Sequence, residues 1–405
     1  MRSSSKPNDG RSITSIGICL LVYISLMACP ICLIAGEPTA IDWPIYHGDS
    51  GLRGVSLVPL PDTLVVKWRY RVGSPVSIPP VVAGNRIIVV AGNGTVLAID
   101  RQGRKVWSAS LAKPAHPDVE AQETFSTPPL CVAGTVLVGS DRGFLHAFDA
   151  GTGASRWKQK IGDDLLGSPN WVAGDVGSDP RVLVMSRNDG VLKLLELSSG
   201  KVMWAADPVS RCDTPPAVGA GVVVFGACDS AMHILSLTNG KPVGEIKLGE
   251  RGPMAAGAAV DGRQSFVGMR DGSVVCVDIP GAKVAWISRC ASNEVFTTPA
   301  VTSNRVVVGS SDGRVYCLDR LNGKTLWAAT TDGSPSSPSV AGDKVVVAAE
   351  GALLLFSLQS GKRVWTDKPG DTLNSPAICG NEVIVGTDDG FLILYAPSGK
   401  SQEKP

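Results

Sequence analysis

The sequence predicts an all-β chain, a β-propeller of eight four-stranded antiparallel blades spanning residues 64–400. Three observations carry this. Tryptophan recurs at a period of about 40 residues, at Trp68, Trp107, Trp157, Trp204, Trp286, Trp327 and Trp365, and periods of that length mark solenoids, propellers and arrays. The gap from Trp204 to Trp286 is double, and Gly244 fills the missing place, four residues after Gly240 as Trp204 follows Gly200, making eight equivalent positions. Finally, the 405 residues include 46 glycines, and nine tryptophans outnumber eight phenylalanines and five tyrosines. Glycine above its usual share of roughly 7% and a tryptophan bias suit a turn-rich chain of repeated strands.

One unit, FTTPAVTSNRVVVGSSDGRVYCLDRLNGKTLW (296–327), shows the elements in order. A Thr-Pro start leads into a short apolar run, then a turn at Ser303-Asn304, the run RVVVG, a turn at Asp312-Gly313, the run VYCL, a turn at Asn322-Gly323, and the run ending in Trp327. Asp-Gly and Asn-Gly supply the positive φ that tight hairpins require. Units 79–100, 337–356 and 375–395 repeat the pattern. A four-stranded meander cannot bury both faces alone; stacking the units radially does it. The last unit has three strands' worth of sequence and no tryptophan, while the first tryptophan run, LVVKWRYR (64–71), has no preceding strands of its own. The N-terminal run is therefore expected to complete the last blade and remove a pair of exposed edges.

Before the ring, Arg2, Lys6 and Arg11 precede an apolar run from Ile13 to Ala35. This describes a secretory signal, and the run is also long enough, at about 20 residues, for an uncleaved anchor. A third reading is lipidation at Cys29, because Leu26-Met27-Ala28-Cys29 resembles a bacterial lipobox. All three readings make residues 1–36 a leader, export residues 37–405 to the periplasm or cell envelope, and confine membrane contact to the leader. Residues 37–63 read as a clasp segment and 401–405 as a tail.

Ten cysteines leave seven outside the leader: Cys131, Cys212, Cys228, Cys276, Cys290, Cys317 and Cys379. The odd number leaves at least one unpaired within the chain. Cys212 and Cys228, at the first-strand start and second turn of one unit, are candidates for a disulfide, which export permits. Cys276 and Cys317 occupy equivalent strand positions in adjacent units and are expected to be buried thiols. No cysteine and histidine share a metal-ligand spacing, and no metal site is expected.

The repeat resembles that of the pyrroloquinoline-quinone (PQQ) type propellers. Ala147, Asp149, Thr152, Gly153 and Trp157 match that family's tryptophan docking motif in full. Asp319, Gly323 and Trp327 match in part, as do Asp278 and Trp286, with Ala282 where the motif has glycine. The resemblance implies that the seven repeated tryptophans are structural, each flat between two blades. The segment WPIYHGDSGLRGVS (43–56) is similar to the stretch with which such proteins open, and reads as a clasp; nothing else converges on its His47 and Asp49.

The resemblance leaves activity open, because propellers host catalysts and binders. The quinoprotein dehydrogenases of this type carry adjacent cysteines and a calcium-binding carboxylate set, neither of which is evident here. The acidic residues Asp141, Asp189, Asp229, Asp271, Asp312, Glu350 and Asp389 fall at turns, where Asp before Gly is ordinary chemistry. No nucleophile stands in a recognisable triad or elbow. The expectation is thus no catalytic residues and no cofactor. It is a non-catalytic envelope scaffold binding a protein or peptide, as in the non-enzymatic propellers of the outer-membrane assembly machinery. The alternatives are a reduced PQQ-dependent oxidoreductase and a binder of a small ligand or polysaccharide at the channel mouth. A net charge of +1 argues against nucleic acid. The insertion 111–123 is expected on the recognition face.

Overall fold

The computed structural model describes residues 42–111, 123–174, 179–249, 254 and 256–398; the leader with Cys29, most of the 111–123 insertion and the tail lie outside them. The described strands form eight sheets, each a four-stranded antiparallel blade, one of them extended by a short parallel fifth strand. Seven are sequential meanders: blades 1 to 7 at 81–110, 130–160, 170–205, 217–247, 259–289, 300–330 and 339–367. Blade 8 takes three strands from 377–397 and its fourth from Leu64–Arg71, which pairs antiparallel with Phe391–Pro397. The N-terminal strand thus closes the ring where the sequence placed it.

Within a blade the two middle strands are buried on both faces, as in RIIVVA (86–91) and TVLAID (95–100). They read as continuous apolar runs rather than alternating ones because neighbouring blades cover both sides. The outer strand alternates, as in KVAWISR (283–289). In all eight blades its pairing register slips by one residue just before the tryptophan position. Such a bulge bends the strand and re-aims the next side chain.

What the bulge aims is an indole at the next blade. Trp68, Trp107, Trp157, Trp204, Trp286 and Trp327 each donate Nε1–H to a backbone carbonyl there, at 2.9–3.2 Å. Each ring also lies against a positive-φ glycine of that blade's last turn: Gly103, Gly153, Gly200, Gly240, Gly323 and Gly361 in the same order. A Cβ on Gly200 would stand 2.6 Å from the Trp157 ring. Trp365 instead meets Tyr395 edge to face, with centroids 5.6 Å apart. Blade 4, with Gly244 in the tryptophan place, explains the substitution in blade 5. No indole occupies that gap, and Ala282 stands at the glycine position with φ +43°, its Cβ facing Gly244.

Residues 43–56 run around the inside of the ring. The innermost strands present unpaired N–H groups to the channel, and the segment's carbonyls accept from them blade by blade: Trp43 from Val82, Pro44 from Cys131, Ser50 from Val218, Gly51 from Val260, Arg53 from Val301 and Gly54 from Val340, all at 2.7–2.8 Å. Blade 3 reaches Ser50 through the Asn170 side chain. Val55–Ser56 then adds as a parallel strand to Ser339–Ala341. His47 is buried with Nδ1 facing Leu52 O and Nε2 facing Pro338 O, and Asp49 pairs with Arg53. These two side chains hold the segment's own shape.

The seven cysteines are thiols. Cys276 and Cys317 are wholly buried, as expected, and burial pushes the Cys276 thiol up to about 12. Cys212 and Cys228, the disulfide candidates, are unbonded. Their segments adjoin, with Cys228 N–H donating to Arg211 O, but Cys212 is buried with its thiol turned to Ser210 O while Cys228 is exposed.

Two expectations follow. Gly262 has φ +61° and open space around it, so Gly262→Ala should cost only the left-handed backbone penalty, about 1–2 kcal/mol. Gly200→Ala should cost about 1–3 kcal/mol more for overpacking against Trp157; urea unfolding of both variants measures the difference. A bulky thiol reagent should modify Cys228 in the native protein while Cys276 and Cys317 react only on unfolding, as site-resolved mass spectrometry would show.

Candidate functional site: the channel and its charged mouth

The two ends of the channel differ. Segment 42–60 reaches the turns between first and second strands, where Asp42 accepts from Gly84 N–H and Pro59 abuts Gly342. At the other end the second-to-third strand turns and the connectors between blades surround an open mouth. Inside it lies a cavity of about 200 Å³ with Tyr46, from the threaded segment, in its lining. The walls are the connectors that lead into the inner strands of blades 2 to 6, among them Pro128, Ser168, Thr214, Pro215 and Thr298, with Phe296 also in the lining.

Hydroxyl groups here form an ordered chain. Thr298 N–H donates to Ser337 Oγ (3.0 Å), Ser337 and Tyr46 hydroxyls lie 2.8 Å apart, and Tyr46 O–H donates to Thr298 Oγ1 (3.0 Å). Tyr46 has a single hydrogen and gives it to Thr298, so Ser337 donates to Tyr46. Burial holds the Tyr46 phenol above its ordinary pKa, and it stays protonated.

Around the mouth, charges are paired on rigid turns. Burial favours a protonated Glu123, but hydrogen bonds from Ser140, Lys158 and His146 outweigh it and bring its carboxyl down to about 2. Burial in turn depresses the His146 pKa, and its ring stacks on Phe148. Arg187 bridges Asp164 and Asp213, Arg211 also reaches Asp213, and Arg270 pairs with Glu294 while covering Phe296 at 5.2 Å. The turn acids act as turn acceptors: Asp189, Asp229 and Asp271 each take a backbone N–H two residues on, and Asp312 takes Tyr316 O–H. Among the described residues no group of three or more His, Cys, Asp or Glu is arranged to hold a metal ion.

In the sequence the Ser/Thr-Pro dipeptides that open most units, such as Thr127-Pro128, Thr214-Pro215 and Thr298-Pro299, read only as the start of a repeat. The structure gathers those starts around the channel. Tyr46 lies 252 residues from Thr298 and 291 from Ser337, and no local signal joins them.

The architecture is that of a quinoprotein-like eight-bladed propeller, closed by its own N-terminal strand. A tricarboxylate such as PQQ finds no cationic partner in this cavity, whose lining has one carboxylate, Asp213, and neither Lys nor Arg. The profile of the family described as outer membrane protein assembly factor BamB matches residues 63–243, 229–368 and 311–402, and this chain belongs to that family. It is 27% identical to the outer membrane protein assembly factor BamB of Salmonella typhimurium over 203 residues, 49% of each chain. The chain thus spans about half the length of the curated relatives it matches. Among solved structures, BamB from Moraxella catarrhalis superposes with TM-score 0.68 at 20% identity, covering 83% of this chain and 98% of that one. The quinohemoprotein alcohol dehydrogenase of Comamonas testosteroni gives 0.70 at 14%, covering 90% and 82%. Likeness at such identities shows the fold alone.

The Glu123 cluster has a testable pH signature. Its folded pKa lies below the ordinary 4.5, so its stabilisation is full above that value and fades as pH falls toward about 2. The stability advantage of the native protein over Glu123→Gln should be constant near neutrality and shrink across that acid range, measured by urea unfolding at each pH.

Proposed function

We propose that this chain is an exported, non-catalytic scaffold that holds a protein partner belonging to the machinery that assembles outer-membrane proteins. Family membership across nearly the whole ring is the observation that carries the reading. Supporting it, the face opposite the threaded segment presents half-exposed charged side chains, Lys158, Arg187, Arg211 and Arg270, on connectors and strand ends fixed by the blades. Loops on a rigid frame are where recognition concentrates, and paired charges of both signs set orientation and association rate more than affinity. The 111–123 insertion, which joins blades 1 and 2 and ends at Glu123, belongs to this surface in the proposal. Export by the leader, with Cys29 as the lipid-bearing residue if the leader is processed as a lipoprotein, puts the scaffold in the same compartment as such a partner.

The test is capture from envelope extract by the purified chain, with bound proteins identified and quantified by mass spectrometry. An outer-membrane assembly protein should be enriched. Replacing 112–122 with a short Gly-Ser linker should lower its recovery several-fold while unfolding behaviour stays native. Undiminished recovery would remove the loop from the interface, and no enrichment of any assembly protein would overturn the reading.

A further inference from the structure

The channel cavity serves no role in the scaffold reading, and its chemistry is specific. Residues 43–54 run along the inner strands beside it, and Tyr46 from that segment contributes to its lining. The donors within it are accounted for as follows. Ser168 Oγ–H goes to Pro169 O at 3.0 Å, and Thr214 Oγ1–H goes to Gly226 O at 3.4 Å. The remaining chain runs Ser337 to Tyr46 to Thr298, and the Thr298 hydroxyl hydrogen has no protein acceptor among the described residues. Thr298 is 2% exposed and lines the cavity. That hydrogen is available to a ligand oxygen in the cavity. Polarisation along a hydroxyl chain also strengthens the terminal donor.

The rest of the lining sets the ligand class. No Lys or Arg lines the cavity, so an anion finds no counter-charge. The one carboxylate, Asp213, is already held by Arg187 and Arg211 at 2.8–3.1 Å, so a cation finds none unpaired. Those oxygens, with the lone pairs of Ser168 and Thr214, still accept hydrogen bonds from a neutral ligand's hydroxyls. Pro128, Pro215 and the ring of Phe296, which is 41% exposed, offer apolar faces to C–H groups. The volume, about 200 Å³, is below the roughly 300–1,000 Å³ of drug-sized sites, and corresponds to a single small ring. A compact neutral ring with alternating hydroxyl and C–H surfaces meets all of these conditions.

We propose that the channel is a binding site for one uncharged sugar residue, seated with an oxygen on Thr298 Oγ1. The site is separate from the partner surface, and its test does not depend on that reading.

The experiment is calorimetric titration of the intact protein with N-acetylglucosamine, glucose and galactose, alongside cationic glucosamine and anionic glucuronic acid. At least one neutral sugar should bind saturably and the charged ones markedly more weakly. Thr298→Val keeps shape and removes the donor; it should raise the Kd about tenfold, the loss of one buried hydrogen bond. Phe296→Ala alters only a half-exposed side chain at the site and should also weaken binding in a protein that folds normally. Absence of saturable binding by all neutral sugars, binding indifferent to both substitutions, or tighter binding of a charged sugar would each overturn the proposal.

Discussion

The ring depends on one repeated contact, an indole laid on the glycine of the next blade. A large flat ring fills the gap between two diverging sheets without a rotamer-rich side chain, and its N–H satisfies a carbonyl that the same contact buries. The bulge before each tryptophan position is what turns the side chain out of its own sheet and toward its neighbour. The glycine is required twice over, by a left-handed backbone and by the absence of room for a Cβ. Blades 4 and 5 show the dependence from the other side, since removal of the indole at Gly244 is matched by a methyl group at Ala282.

Two uses of the N-terminal region make the stack of blades a closed object. The strand Leu64–Arg71 completes blade 8 with the other end of the chain, so ring opening requires breaking a full antiparallel ladder. Residues 43–56 satisfy inner-strand donors in seven blades that would otherwise line a channel without partners. The second arrangement also gives the molecule two unlike faces. One is capped by backbone, and the other opens onto a polar cavity rimmed by paired charges.

That asymmetry organises function. The Glu123 cluster and the Arg187–Asp213–Arg211 group sit on turns and connectors whose positions are set by the blades behind them, so their geometry needs little ordering on binding. Inside the mouth, Tyr46 comes from the threaded segment, Thr298 from the connector into blade 6 and Ser337 from the connector into blade 7. The hydroxyl chain exists only while the segment is threaded and the ring is closed.

Much of this protein was legible in one dimension. The tryptophan period, the Asp-Gly and Asn-Gly turns and the missing fourth strand of the last unit determined the blade number, strand order and closure. Each is a local pattern repeated often enough to exclude alternatives, and Gly244 was recognisable as a tryptophan position from its spacing alone. The same spacing could not show that Ala282 compensates for it, because that contact crosses from one blade to the next. The segment 43–56 was readable as a clasp but not as a thread through seven blades, since a run of carbonyl acceptors has no side-chain signature. The Ser/Thr-Pro starts looked like punctuation until the ring gathered them about one axis. Tertiary structure decided the site, because hydrogen bonds between residues some 250 and 290 positions apart depend on closure of the whole ring rather than on any neighbouring sequence.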